Sequence, residues 1–195
     1  LSLINQGNTN LISPFYQKIL NDIIESTNGY ESTFPENPVK SLYVRGSVAV
    51  GQAKPPISDI DLILILNSPP SFKAIEYYNA TTNKLAAKYS PAVTEIDLTI
   101  VSLPALIYDQ KIKNLKIYMK YQSVLLKGVD ILHSLPDVFP GPYLAISMYA
   151  DLNDEISSLR NQFAKQGEPK QYQGKERTDE FWCVWLMRTI LRSSV

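Results

Sequence analysis

The chain has 195 residues, 45% of them hydrophobic, which is enough to bury the core of one domain, or of one domain with a smaller helical part. Nineteen basic residues balance nineteen acidic ones, so the composition argues against a strongly basic surface that would bind nucleic acid. The single cysteine, Cys183, excludes an intramolecular disulfide, and the longest aliphatic run, 62–66, is far too short to span a membrane. We therefore expect a cytoplasmic protein. The ends, Leu1 and Val195, predict a fragment of a longer protein.

A helix and two strands are predicted first. Ser13 followed by Pro14 is typical of a helix start, and apolar residues at every fourth position (Phe15, Ile19, Ile23) predict one buried face. Residues 39–44 predict a short strand. Residues 59–66 predict a stronger strand, which ends in an Asn-Ser-Pro-Pro turn.

The alternation of helix and strand then continues. Ser71 can cap a helix that runs to about residue 89, and residues 94–101 predict a third strand because apolar and polar residues alternate there. A helical pattern extends from 103 to 120 with a break near Asp109, and residues 123–126 predict a fourth strand at the sheet edge. The prediction is an α+β fold.

A domain boundary is predicted between Ser134 and Tyr143, because three prolines and a glycine within ten residues are typical of a connection. We expect one domain over 1–135 and a helical C-terminal domain or fragment over 143–195. In the second, 144–166 and 178–193 predict helices, and the polar stretch 168–177 between them predicts a loop.

Two carboxylates open the stronger strand. Residues two apart on a strand point to the same side, so Asp59 and Asp61 are predicted to project together while Ile60 and Leu62 enter the core. Two like charges this close favour protonation unless a cation lies between them. Mg2+ prefers carboxylate oxygens and keeps positions open for phosphate. A third acid, Asp97, has the same outward phase on the next strand, so three carboxylates converge if the strands are neighbours.

A Gly-Ser pair, Gly46 and Ser47, follows the first strand. Glycine lets phosphate oxygens approach the backbone, and amides with a serine hydroxyl can hold negative charge. Taken alone, a Gly-Ser pair is usually a turn and an Asp-x-Asp is usually a turn or a cap. The two signals in this order, with eleven residues between Ser47 and Asp59, are far more specific than either one.

In these residues the sequence resembles the nucleotidyltransferase superfamily typified by DNA polymerase beta, and most of all bacterial aminoglycoside adenylyltransferases. The segment GSVAVGQAKPPISDIDLILI is similar to their phosphate and metal segment, and the runs DLTIV and LLKGVDIL are similar to later segments. The resemblance covers about residues 39–132. It implies a small mixed sheet with flanking helices, followed by a helical domain that closes over the substrate.

The resemblance also implies roles for particular residues. Gly46 and Ser47 would hold the β- and γ-phosphates of a nucleoside triphosphate, expected to be ATP. Asp59 and Asp61 would bind Mg2+, and Asp97 would complete a second metal site and help to take the proton of an acceptor hydroxyl. Lys54, in the Pro-Pro loop, is a further candidate for phosphate contact.

Several alternatives stay open at this stage. Glu95 could replace Asp97, Arg45 could support the phosphate loop or pair with a surface acid, and Lys127 could contact phosphate or solvent. His133 is expected at the surface. The acceptor could be a small hydroxylated molecule such as an aminoglycoside, for which the acidic residues Asp151, Asp154 and Glu155 would form part of a cleft. It could also be a protein or RNA in a toxin–antitoxin type of system, and a non-catalytic nucleotide-binding module is the third hypothesis.

Overall fold

The computed structural model separates into two compact units, Leu1–Val138 and Phe139–Val195. Nearly all of the first unit is described, whereas the second is described at scattered positions. The residues that the structure describes are 4–93, 95–137, 139, 141–142, 153–154, 156–157, 160–161, 170–172, 175–177, 182–183 and 187. The predicted domains, 1–135 and 143–195, stay a prediction.

The first unit alternates helices and strands in the predicted order. Its helices and strands are α1 (Pro14–Thr33), β1 (Val39–Arg45), α2 (Gly46–Ala49), β2 (Ile60–Leu66), α3 (Phe72–Tyr89), β3 (Ile96–Ser102), α4 (Leu103–Tyr108), α5 (Lys113–Gln122) and β4 (Ser123–Gly128). Short 3-10 turns lie at Thr9–Leu11, Gln110–Ile112 and Leu132–Ser134. The α+β fold with a mixed sheet is therefore confirmed.

The four strands form one sheet in the order β3-β2-β1-β4. β2 and β3 run parallel and are connected through α3, as a parallel pair requires a crossover. β1 is antiparallel to both β2 and β4, so β4 is the edge strand that the sequence predicted. The amino ends of β2, β3 and β4 thus lie with the carboxyl end of β1 along one side of the sheet, which we call the site edge.

Both faces of the sheet are covered, which explains the aliphatic run in β2. Leu62 and Leu64 pack in a core cluster with residues of α1 and α3, whereas Ile63 and Ile65 pack in a second cluster with residues of α4 and α5. Because successive strand residues point to opposite faces, a strand buried on both sides carries no polar alternation. Asp61 is the exception within β2, since its side chain lies at the site edge.

The helix boundaries follow the predicted start and stop residues. The Ser71 hydroxyl oxygen accepts a hydrogen bond from the Ala74 N–H at 3.2 Å and caps α3. Ser13 occupies the N-cap position of α1 but makes no side-chain capping bond, so Pro14 marks that start. The helical pattern breaks at Asp109 as expected, where the carboxylate accepts from the Lys111 N–H at 2.8 Å.

One prediction for the second unit is wrong. Within the predicted loop 168–177, Lys170–Tyr172 and Lys175–Arg177 form an antiparallel pair of short strands, β5 and β6. These segments are almost entirely polar, so they lack the apolar alternation from which strands are predicted. The described positions within 144–166 and 178–193 are helical, and the rest of those two predicted helices lies outside the described residues, as do Asp151 and Glu155. No helix in the described part of the chain is long and apolar enough to cross a lipid bilayer.

Candidate active site

Gly46 makes the turn from β1 into α2 with a positive φ of 69°. A Cβ atom added there would lie 2.8 Å from Oδ2 of Asp61, closer than real Cβ contacts allow. Glycine is therefore favoured for two independent reasons, since other residues are strained in this conformation and a Cβ would displace the Asp61 carboxylate. The Gly-Ser turn lies directly against the acidic strand.

The chain holds α2 from two sides. The Gln52 N–H donates to the Ser47 carbonyl oxygen at 2.8 Å, and the Asn8 N–H donates to the Ala49 carbonyl oxygen at 3.1 Å. Val48 and Ala49 are buried in the core. The segment before α1 is itself anchored, because the Gln6 N–H donates to the Tyr121 carbonyl oxygen at 2.8 Å. The turn is thus preorganised by contacts with residues far away in sequence.

The sheet register brings two of the predicted acids together. Asp61 on β2 is the direct neighbour of Asp97 on β3, and on its other side it is the neighbour of Arg45 on β1. Asp61 and Asp97 are half-buried, whereas Asp59 lies just before β2 and is exposed. Glu95, the alternative third acid, precedes β3, and its carbonyl oxygen accepts from the Ile60 N–H at 3.0 Å.

Arg45 forms an ion pair with Asp61. Its Nη2 lies 2.9 Å from Oδ1 of Asp61, and both side chains are about one-fifth exposed, 24% and 20%. The guanidinium also lies over the ring of Tyr118, 5.9 Å from the centroid, which is a cation–π contact. Of the two functions open for Arg45, the structure shows the pairing, and the partner is a candidate metal ligand rather than a surface acid.

Tyr16 on α1 is a neighbour of the site that sequence reasoning missed. It is 1% exposed, and its hydroxyl has no hydrogen-bond partner among the residues that the structure describes. Burial raises the pKa of the Tyr16 phenol, and the negative charge of Asp59 raises it further. In the sequence, Tyr16 is a tyrosine beside an apolar helix face, and no spacing connects it with Asp59.

The two lysine candidates lie in different surroundings. Lys54 is exposed in the loop before β2, where its N–H donates to the Ser58 hydroxyl at 3.0 Å. Lys127 on β4 instead contacts α1 and forms an ion pair with Glu31 at 2.6 Å. His133 lies in the 3-10 turn after β4 and is exposed, as expected from the sequence. Lys54 therefore stays a candidate for phosphate contact, and Lys127 is engaged elsewhere.

The acids suit a divalent cation by their chemistry. Carboxylates are the ligands that Mg2+ prefers, and register places Asp61 beside Asp97. Among the described residues, no three His, Cys, Asp or Glu side chains form a group already arranged around a metal position. Arg45 pairs with the Asp61 carboxylate, which such a cation would use. The donor set therefore fits a divalent cation by its chemistry, although the described side chains do not surround a metal position.

A Gly-Ser turn packed against an acidic strand of a small mixed sheet is the arrangement expected from the resemblance to nucleotidyltransferases. The comparison with family models agrees, since residues 30–132 match the nucleotidyltransferase domain. This match covers more than half of the chain, and the chain belongs to the nucleotidyltransferase domain family. The superfamily and the enzyme class predicted from the sequence are confirmed.

Solved structures of this kind are similar over most of the chain at low identity. Spectinomycin adenyltransferase AAD(9) from Enterococcus faecialis, solved with ATP and spectinomycin, is 15% identical with a TM-score of 0.49, over 91% of this chain and 88% of that one. A tri-AMPylated Shewanella oneidensis HEPN toxin in complex with MNT antitoxin is 18% identical with a TM-score of 0.36, over 76% and 98%. No curated protein sequence matches the chain.

Proposed function

We propose that this nucleotidyltransferase moves a nucleoside monophosphate from ATP to a hydroxyl group of a small molecule such as an aminoglycoside. The observation that supports this most directly is the register that sets Asp61 beside Asp97 at the site edge, against the Gly46 turn. The chemistry needs acids for metal binding and a backbone turn for phosphate, and it needs no side-chain nucleophile.

In this proposal the Gly46 and Ser47 turn receives the β- and γ-phosphates, since glycine allows phosphate oxygens to approach the backbone. The exposed Lys54 adds a positive charge to the loop before β2. Asp59, Asp61 and Asp97 would hold Mg2+, which when bound neutralises the triphosphate and activates the α-phosphorus. Fixed contacts hold the turn, so binding costs little reorganisation.

Asp97 is proposed to accept the proton of the acceptor. The acceptor oxygen forms a bond to the α-phosphorus while the bond from that phosphorus to the bridging oxygen of pyrophosphate breaks. The hydroxyl proton passes to the Asp97 carboxylate, and pyrophosphate leaves with the electron pair. Asp97 is half-buried on β3, next to Asp61, and can therefore serve a reaction centred on that strand.

Calorimetric titration tests the donor half of the proposal. ATP, GTP, CTP and UTP are each titrated with and without Mg2+ into the wild-type protein, Asp59→Asn and Asp61→Asn. We expect Mg2+-dependent binding of ATP that falls by at least about a hundredfold in both variants, since metal neutralisation contributes several kcal/mol. The matched control is Asp22→Asn, which neutralises a carboxylate bound to Lys88 and Tyr89 on α3 and should bind ATP like the wild type.

The acceptor half is tested by pyrophosphate release. Aminoglycosides are screened first, followed by protein and RNA acceptors. Release with an aminoglycoside supports the proposal, release only with protein or RNA replaces the small molecule with that acceptor class, and binding without release from any acceptor favours the non-catalytic module. Unchanged ATP binding in both aspartate variants would remove the proposed metal site.

A further inference from the structure

Arg45 places a positive charge against a carboxylate that the proposed metal would use. Its guanidinium lies 2.9 Å from the Asp61 carboxylate, and a metal bound between Asp61 and Asp97 would approach that same carboxylate. Two like-charged groups repel when they share one site, so the ion pair with Arg45 and full coordination of a metal by Asp61 oppose each other.

The contacts of Arg45 leave it incompletely satisfied. Its Nε is buried and has no hydrogen-bond partner among the described residues, so the guanidinium does not use all of its donors. A buried donor without a partner costs free energy, which makes the pair easier to open than a fully bonded one. The ring of Tyr118 offers a second contact for the guanidinium that does not depend on Asp61.

We propose that Arg45 is a positioning residue that substitutes for the metal: it holds Asp61 in place when no metal is bound, and a divalent cation displaces it. The inference rests on the proposed function, because it takes Asp61 to be a metal ligand. Metal then binds only to the fraction of molecules in which Asp61 is released. The apparent metal affinity is reduced by that fraction, and the metal-free fold is stabilised.

The test is a titration with Mn2+, in which the electron paramagnetic resonance signal of the free ion reports how much is bound. It requires no turnover. The proteins are the wild type, Arg45→Met, Arg45→Lys, Asp61→Asn and, as a control for net charge, Lys127→Met. We expect Arg45→Met to bind Mn2+ roughly two- to fivefold more tightly, the range that a partly exposed ion pair supplies. Arg45→Lys keeps the charge and should stay close to the wild type, and Asp61→Asn should lose the site.

The melting temperature gives a second readout, in which Arg45→Met is expected to lose stability without metal although it gains metal affinity. In EDTA, Arg45→Met should melt about 2–4 °C below the wild type, because Asp61 is left half-buried without this cation. At saturating Mn2+ the difference should disappear. The matched control is Lys127→Met, which removes a cation of nearly equal exposure from Glu31 and should lower the melting temperature equally with and without metal.

Each outcome supports or overturns the inference. If the wild type binds Mn2+ and Arg45→Met binds it equally or more weakly, the exchange is wrong while the proposed metal site stands. If no variant binds Mn2+, both the exchange and the metal-dependent function are wrong. Tighter Mn2+ binding in Lys127→Met as well would attribute the effect to net charge and overturn the specific role of Arg45.

Discussion

The ion pairs Arg45–Asp61 at the site edge and Lys127–Glu31 between β4 and α1 are similar in exposure but differ in their bonding. Side-chain exposures are 24% and 20% in the first and 22% and 31% in the second. Lys127 Nζ donates to three oxygens, of Thr27, Asn28 and Glu31, at 3.0, 2.7 and 2.6 Å, which uses all three ammonium hydrogens.

Arg45, by contrast, has a buried Nε without a partner among the described residues. A pair in which every donor is bonded fastens two elements together, whereas an incompletely bonded pair can exchange its partner at lower cost. Equal exposure therefore does not imply an equal role. The α1–β4 pair is part of the framework, and the β1–β2 pair belongs to the site.

The largest effect is expected for Gly46→Ala. The added methyl group meets Oδ2 of Asp61 at 2.8 Å and sits on a backbone of positive φ, so we expect loss of Mg2+-dependent ATP binding and about 1–3 kcal/mol lower stability. Calorimetry and urea unfolding measure the two effects. Gly141→Ala is the control, because no described atom lies within 4 Å of its added Cβ. If Gly46→Ala retained ATP binding, the proposed close approach of phosphate to the backbone at Gly46 would be wrong.

Tyr43→Phe tests the framework without touching the acids. The phenol oxygen accepts from the Ile131 N–H at 2.8 Å and its hydroxyl lies 3.0 Å from Oδ1 of Asp130. Removing it leaves a buried N–H unpaired, and we expect about 1–2 kcal/mol lower stability in urea unfolding. Mn2+ affinity should not change. A change in Mn2+ affinity would show that the framework and the site are coupled.

Double-mutant cycles compare the two pairs directly. For Lys127→Met with Glu31→Gln we expect a coupling of about 0.5–1 kcal/mol that is the same with and without Mg2+. For Arg45→Met with Asp61→Asn we expect similar coupling in EDTA, and none at saturating Mg2+. Urea unfolding measures both coupling energies. If the Arg45–Asp61 coupling were as large in Mg2+ as in EDTA, like the Lys127–Glu31 coupling, the two pairs would not differ in role.

The smallest effect concerns Asp22 on α1. Hydrogen bonds from Lys88 and Tyr89 lower the pKa of the Asp22 carboxyl. A lowered pKa in the folded state means that the contribution to stability is present above the ordinary carboxyl pKa and is lost as pH falls through the lowered one. Asp22→Asn should thus melt about 1 °C below the wild type at neutral pH, and the two melting curves should converge in acid. A gap that widens in acid would contradict this sign.

Much of the first unit could be predicted from local patterns. Helix starts at Pro14 and Ser71, the break at Asp109 and the edge strand from Ser123 follow from turn residues and apolar spacing, which act over a few residues. The polar pair β5–β6 was missed because strands that lack apolar alternation are held by backbone pairing between segments. The resemblance to nucleotidyltransferases could likewise be recognised from the order of Gly46 and the acids along the chain.

The sequence by itself determined the main helices and strands of the first unit and the acids and glycine of the candidate site, and its resemblance to a known family implied the mixed sheet. Only the tertiary structure decided that Asp61 lies between Arg45 and Asp97 in the sheet. It also decided that Tyr16 lies where the negative charge of Asp59 raises its pKa. These neighbours depend on strand order and register, which are fixed by the packing of both sheet faces against helices distant in sequence.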